Sequence, residues 1–344
     1  MKKILFFDVV APYEYNYDII SKKGLGASES YLLSVANELK KNFDVDITTK
    51  KVRYSYQQND IVFKKLSPLE WSENYHTIII QRSSKNLKFL KKLYPKANII
   101  IWLHDFYESS EYADMPIDEL QYVIDNAKLI CVSEWAMKNF EVNLKLRKIK
   151  NVNIDYIHFF IEPPKLPKNY INKVDKYKLC FMSAGHKGLE QTLKVFEFLY
   201  QQNNKFKLYI ANPTYDQKYS FENSKGSVVN LGNITRDEVC RHMKESLCVL
   251  HLNNVYPETF GCVNAEANLM GTPVLAYNLG ATPEILDLPF IHNQIIEIDP
   301  YRVDKYELVH IIERILKWQI KRPNVKLNPK LNKKRVMKKW MEIL

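Results

Sequence analysis

Apolar residues arrive along this chain in short unbroken runs, separated by stretches where they recur every three or four positions. Residues 3–10 form one such run, interrupted only by Asp8, as expected of a parallel strand buried on both faces. After a loop, residues 28–41 place Tyr31, Leu32, Val35, Ala36 and Leu39 at helical spacing. Further strands are predicted over 45–48, 77–81, 98–104, 129–132 and 152–157, with helices over 84–93 and 117–126 between them. Strand and helix in alternation predict a doubly wound α/β sheet.

The segment Glu162-Pro163-Pro164-Lys165-Leu166-Pro167 interrupts the pattern as a linker, and the alternation then restarts. Strands are predicted over 178–183, 206–211, 227–230, 247–252 and 273–277, and helices over 187–201, 236–244 and 260–270, with another beginning near Thr282. The 344 residues suit two domains at about 100–200 residues each. The expected boundaries are 1–163, 164–325 and a C-terminal segment 326–344. Two α/β halves on a short linker predict a ligand cleft between the carboxyl ends of the two sheets.

Charge changes the picture in one place. The net charge is +11, and eleven basic residues from Arg314 onward face a single acid, Glu342. The basicity therefore belongs to the end of the chain, where Val336, Met337, Trp340, Met341 and Leu344 share one helical face opposite Lys338 and Lys339. Such a helix can pack against a domain or lie on an anionic membrane surface; packing is the expected outcome. Lys85, Lys88, Lys91 and Lys92 give the 84–93 helix a second basic face, expected to be solvated. No nucleic-acid motif accompanies the charge, and nucleic acid is not an expected partner. The five cysteines are scattered and flanked by apolar residues, which suits buried thiols in a cytoplasmic protein. No apolar run reaches the roughly 18 residues of a membrane span.

The stretch most rich in chemistry runs from Tyr256 to Val274, with the order loop, Gly261, helix, Gly271-Thr272-Pro273 turn and strand. Gly261 at a helix start lets backbone N–H groups face an anion. Glu258 stands before that helix and Glu266 about two turns into it, so each carboxylate can accept hydrogen bonds from a ribose or sugar diol beside a bound phosphate. This spacing, followed by Gly280-Ala281-Thr282-Pro283-Glu284, resembles the E-x7-E region of the family 4 glycosyltransferases of the GT-B fold. The resemblance implies two Rossmann-like domains facing across a cleft, with a C-terminal helix crossing back to the N-terminal domain. It implies a retaining, metal-independent transfer from a nucleotide-sugar to a carbohydrate or lipid-linked glycan acceptor, as in surface-polysaccharide synthesis. The acceptor would bind the N-terminal domain and the donor the C-terminal one, in the cytoplasm or at the membrane's inner face.

By the same resemblance, Glu266 would bind the ribose and Glu258 the transferred sugar. Thr259 and the amides of Phe260, Gly261 and Cys262 would lie at the distal phosphate. Gly24 and Gly26, between the first strand and helix, resemble the family's glycine loop near the phosphates. His104, in Trp102-Leu103-His104-Asp105 at a strand's carboxyl end, matches a histidine near the donor sugar, and Ser133 matches a serine at the cleft. Ser183-Ala184-Gly185-His186-Lys187-Gly188 resembles the phosphate-binding G-R…K-G segment, with Lys187 in place, the arginine absent and His186 a substitute. Asn233 and Ile234 resemble the loop that reads the nucleobase.

Seven of the nine glycines fall in these loops, which points to close backbone approach to a ligand. Asp44-Val45-Asp46 matches the D-x-D of another glycosyltransferase fold, but it opens a strand away from the expected cleft. No cluster has metal-ligand spacing, so neither metal nor cofactor is expected. A phosphorylase, an epimerase or an inactive sugar-binding relative of the same fold are the competing readings.

Overall fold

A computed structural model describes residues 1–71, 74–170, 173–212, 227–297 and 305–344, and divides the chain into two compact units. The first comprises Met1–Ile20, Ala27–Phe159 and Lys334–Leu344; the second comprises Ser21–Gly26 and Phe160–Lys333.

The first unit is built on strands β1 (Lys3–Asp8), β2 (Asp44–Thr49), β3 (Tyr56–Gln58), β4 (Ile61–Lys64), β5 (Thr77–Gln81), β6 (Asn98–Leu103), β7 (Lys128–Cys131) and β8 (Ile154–Tyr156). Their order is β3-β4-β2-β1-β5-β6-β7-β8, parallel throughout except for the β3–β4 hairpin. The interior strands explain their own composition: Thr77-Ile78-Ile79-Ile80-Gln81 and Asn98-Ile99-Ile100-Ile101-Trp102-Leu103 need side chains for two buried faces. The helices are α1 (Tyr17–Ile20), α2 (Ala27–Leu39), α3 (Leu87–Leu93), α4 (Ile117–Asn126) and α5 (Glu134–Leu146). Leu120, Val123 and Ile124 of α4 join Ala136, Phe140 and Leu144 of α5 in one core with Ile78, Ile99 and Leu129.

The second unit holds β9 (Asp175–Phe181), α6 (Leu189–Gln202), β10 (Lys207–Ala211), β11 (Val228–Gly232), α7 (Arg236–Lys244), β12 (Ser246–His251), α8 (Cys262–Leu269) and β13 (Val274–Tyr277). It continues through α9 (Thr282–Ile285), α10 (Ile291–Gln294), β14 (Ile295–Ile296) and α11 (Lys305–Ile320). The strand order is β11-β10-β9-β12-β13-β14, all parallel. The chain winds outward from β9 to β11 and then returns to lay β12 on the other side of β9. That reversal opens a crevice at the carboxyl ends of β9 and β12, the place where open α/β sheets bind ligands.

The last helix, α12 (Lys333–Ile343), belongs with the first unit from Lys334 on. Trp340 is fully buried there, its ring edge-on to Trp102 with centroids 4.9 Å apart, and Lys339 Nζ lies 3.9 Å from the Tyr156 ring centre. Other basic residues near the chain end are also engaged. Arg314 donates to the carbonyls of Asn293 and Ile295, and Arg322 donates to Leu247 O and Thr272 Oγ1.

Candidate active site

Lys187 and Glu258 are supplied by the loops after β9 and β12, the two strands that flank the crevice of the second unit. After β9, the chain turns at Ala184, whose carbonyl accepts from Lys187 N at 2.9 Å. Gly188 follows with φ +93°, and an added Cβ there would stand 2.2 Å from the Leu252 carbonyl oxygen. Only glycine lets α6 start so close to the end of β12. After β12, buried Asn253 folds the next loop: its Oδ1 accepts from Val255 N and Tyr256 N, and its Nδ2 donates to Tyr256 O. Glu258 then bridges Gly280, and its carbonyl accepts from Ala281 N at 2.7 Å. A Cβ on Gly280 would lie 2.4 Å from the Glu258 carbonyl oxygen, so this contact too requires glycine.

Held this way, Glu258 is 9% exposed, and Lys187 Nζ stands 3.0 Å from its Oε2 and 2.9 Å from its Oε1. Burial raises the carboxyl, but the Lys187 charge and the neighbouring His251 outweigh burial and hold it well below the usual carboxylate range. Gly261, at φ +85°, is the N-cap of α8 and offers no side chain to cap it. The first N–H groups of the helix, at Cys262 and Val263, have no carbonyl within their own helix, and its dipole favours an anion. Burial and the carboxylates of Glu266 and Glu258 raise the Cys262 thiol well above its ordinary value, so it stays protonated.

Glu266 lies within α8 and is also 9% exposed; Arg236, first residue of α7, places Nε 2.5 Å from its Oε1. The same guanidinium donates through Nη2 to Glu162 O. Sequence reasoning noted a missing arginine near Ala184 and did not foresee that Arg236 would face Glu266. At the end of β11, Asn233 Nδ2 donates to Asn212 O, and Gly232 takes φ +65°. Gly24 clusters with this unit: a Cβ on it would stand 2.9 Å from Ile234 O and 3.4 Å from Asn233 Nδ2. Gly26 is buried, Thr259 half-buried and Phe260 fully enclosed. His186 is exposed, its ring edge-on to Tyr256 at 6.1 Å.

The remaining expected residues lie in the first unit. His104 follows β6, is 7% exposed, and bonds Gln81 Oε1 through Nε2 at 3.0 Å. Gln81 Nε2 is committed to Ser28 O, so the imidazole Nε2 carries the proton. Burial, with Arg82 adding to it, pushes His104 well below its ordinary value and keeps it neutral. Ser133 is buried and accepts from Ala136 N as the cap of α5. Asp46 is buried against Tyr75 Oη at 2.6 Å, while Asp44 lies near the N-terminal amine, so both members of the D-x-D have structural partners. Among the described residues no group of His, Cys, Asp and Glu could hold a metal ion, and no helix is long and apolar enough to cross a membrane.

Two parallel α/β sheets in series, each wound in both directions, are shared with a group of solved enzymes. Sucrose-phosphate synthase from Thermosynechococcus elongatus aligns at TM-score 0.65 and 17% identity, over 100% of this chain and 96% of that one. The lipopolysaccharide outer core galactosyltransferase WaaB gives 0.60 and 14%, covering 99% and 98%. HepE from Anabaena, solved in complex with UDP and glucose, gives 0.59 and 14%, covering 100% of both. The chain has the GT-B fold of these glycosyltransferases. Residues 164–330, just under half the chain and the part that carries Lys187, Glu258 and Glu266, match the family described as Glycosyl transferases group 1. Comparison with curated proteins finds no match.

Proposed function

We propose that the chain is a retaining glycosyltransferase that moves a sugar from a nucleotide-sugar to an acceptor hydroxyl without a metal ion. The observation that carries this reading is the Lys187–Glu258 pair beside the open N-terminus of α8. A nucleoside diphosphate would place its distal phosphate against the first amides of α8 and the Lys187 ammonium, where negative charge develops as the glycosidic bond breaks. Glu258, kept ionised, would accept a hydrogen bond from a hydroxyl of the transferred sugar. Glu266 would do the same for the ribose, and the Asn233–Ile234 loop would border the base. That HepE was solved with UDP and glucose and WaaB is described as a galactosyltransferase supports a nucleotide-sugar donor and a glycan acceptor here.

In the step itself, the anomeric C–O bond to phosphate breaks and a C–O bond to the acceptor oxygen forms on the same face. The acceptor proton passes to the leaving phosphate oxygen, so no enzymic nucleophile is needed. The first unit would bind the acceptor, with neutral His104 as one of its hydrogen-bonding groups.

Thermal stabilisation by UDP, GDP, ADP, dTDP and CMP, in the absence of metal, tests the donor site. A rise in Tm with one nucleotide, abolished by Glu266→Ala, is the expected result. A folded protein that responds to none of them would leave the phosphorylase reading in its place.

A further inference from the structure

β12 ends in His251, a side chain 3% exposed and enclosed between two groups of the site. Its Nδ1 lies 2.8 Å from Asn264 Oδ1, in the first turn of α8, and its Nε2 lies 3.4 Å from Glu258 Oε1. The two orientations of the Asn264 amide give this chain of contacts different protons. For a neutral imidazole with Oδ1 toward the ring, Nδ1 carries the proton and Nε2 turns a lone pair to a carboxylate. His251 Nε2 and Asn264 Nδ2 are then both buried without a hydrogen-bond partner. The bonding network decides between the two amide orientations. With the amide reversed, Asn264 donates to Nδ1, and Nε2–H points at Glu258. Buried polar groups are rarely left unpaired, which favours the reversed form.

We propose that His251 is a positioning residue of this site: Asn264 fixes its proton on Nε2, and Nε2–H fixes the Glu258 carboxylate opposite Lys187. The inference rests on the reading of Glu258 as the contact to the transferred sugar. An ammonium on a flexible four-carbon stem can follow a carboxylate through many positions. An imidazole anchored at its far edge cannot, so it defines where the carboxylate oxygens stand. The same logic governs histidines oriented by a second hydrogen bond elsewhere.

Two substitutions separate the positioning role from plain packing. A glutamine amide nitrogen falls near the place of Nε2, and an asparagine amide falls near that of Nδ1. His251→Gln therefore keeps a donor for Glu258, whereas His251→Asn keeps only the contact to Asn264. With whichever of UDP-glucose, UDP-galactose, UDP-N-acetylglucosamine and GDP-mannose the full-length protein turns over, kcat/KM should stay within about threefold for His251→Gln. For His251→Asn it should fall about tenfold or more, while affinity for the free nucleoside diphosphate, which has no sugar, changes by less than about twofold. The opposite ranking, or an equal loss of diphosphate affinity, would overturn the proposal. A second measurement does not depend on turnover: nitrogen-15 NMR of histidine-labelled full-length protein, with His251 assigned by the glutamine variant. A proton on Nε2 supports the proposal, and a neutral ring with its proton on Nδ1 refutes it. Failure of every nucleotide-sugar to turn over would count against the proposed function and leave the NMR result to decide this one.

Discussion

A buried carboxylate needs a cation, and Glu258 obtains Lys187 from the neighbouring strand's loop. Its pKa is depressed in the folded state. The pair therefore adds stability above the ordinary carboxyl value of 4.5 and loses it as pH falls through the lower folded value. Lys187→Met removes the charge but keeps the bulk, leaving His251 alone to oppose burial and moving the carboxyl upward. The Met variant should lose donor turnover as the pH falls, where the parent protein, its carboxyl held low, stays flat. A pH–rate profile of both proteins checks this. Arg236→Ala should lower stability by about 1–2 kcal/mol in urea denaturation, below the cost of a fully buried pair because the Arg236 side chain is 37% exposed. It should also reduce the nucleotide-induced rise in Tm, since Glu266 loses the group that orients it. Glu258 and Glu266 were singled out by their spacing about Gly261, and Lys187 by its place next to Gly188. Arg236 was not, because its pairing across thirty residues is set by how α7 lies against α8. His251 was accessible to the reasoning applied to His104, as a polar residue at the carboxyl end of an apolar strand, but it lay inside a run that read simply as core.

The elements show which local signals carry through to structure. The parallel strands were readable because burial on both faces demands unbroken apolar runs, and β5, β6 and β12 have them. The β3–β4 hairpin was missed because Tyr56-Gln57-Gln58 has no apolar alternation. Its turn signal was nevertheless present in Asn59-Asp60, which take φ 50° and 57°. Helix α5 was missed too, although Ser133 as cap and Ala136, Phe140 and Leu144 at four-residue spacing announce it. α11 was not predicted, although Ile311, Ile312, Ile315 and Trp318 recur at helical spacing and are buried in the core of the second unit. At this scale the glycine clamp on the Glu258 loop is the testable feature. Gly280→Ala adds a Cβ 2.4 Å from a backbone oxygen in a left-handed conformation, so it should destabilise by about 2–4 kcal/mol and weaken donor turnover. Urea denaturation together with donor kinetics measures both.

Across the molecule, doubly wound sheets were predictable from alternation alone, while the return of the chain end to the first unit depended on the apolar face of α12. Trp340→Ala empties a fully buried site against Trp102 and should cost about 3–5 kcal/mol in denaturant unfolding, mainly in the first unit. The GT-B fold by itself leaves reaction and donor open, since one architecture serves many chemistries. The central claim is that the crevice at β9 and β12 cleaves a nucleotide-sugar by stabilising its diphosphate. The direct measurement is release of nucleoside diphosphate from a panel of nucleotide-sugars by the full-length protein in EDTA, compared with Lys187→Met and Glu258→Gln. The account predicts release from one donor, accelerated by an acceptor and reduced about a hundredfold or more in both variants. Release that is unchanged in the variants, or turnover that requires inorganic phosphate and yields no nucleotide, would contradict it.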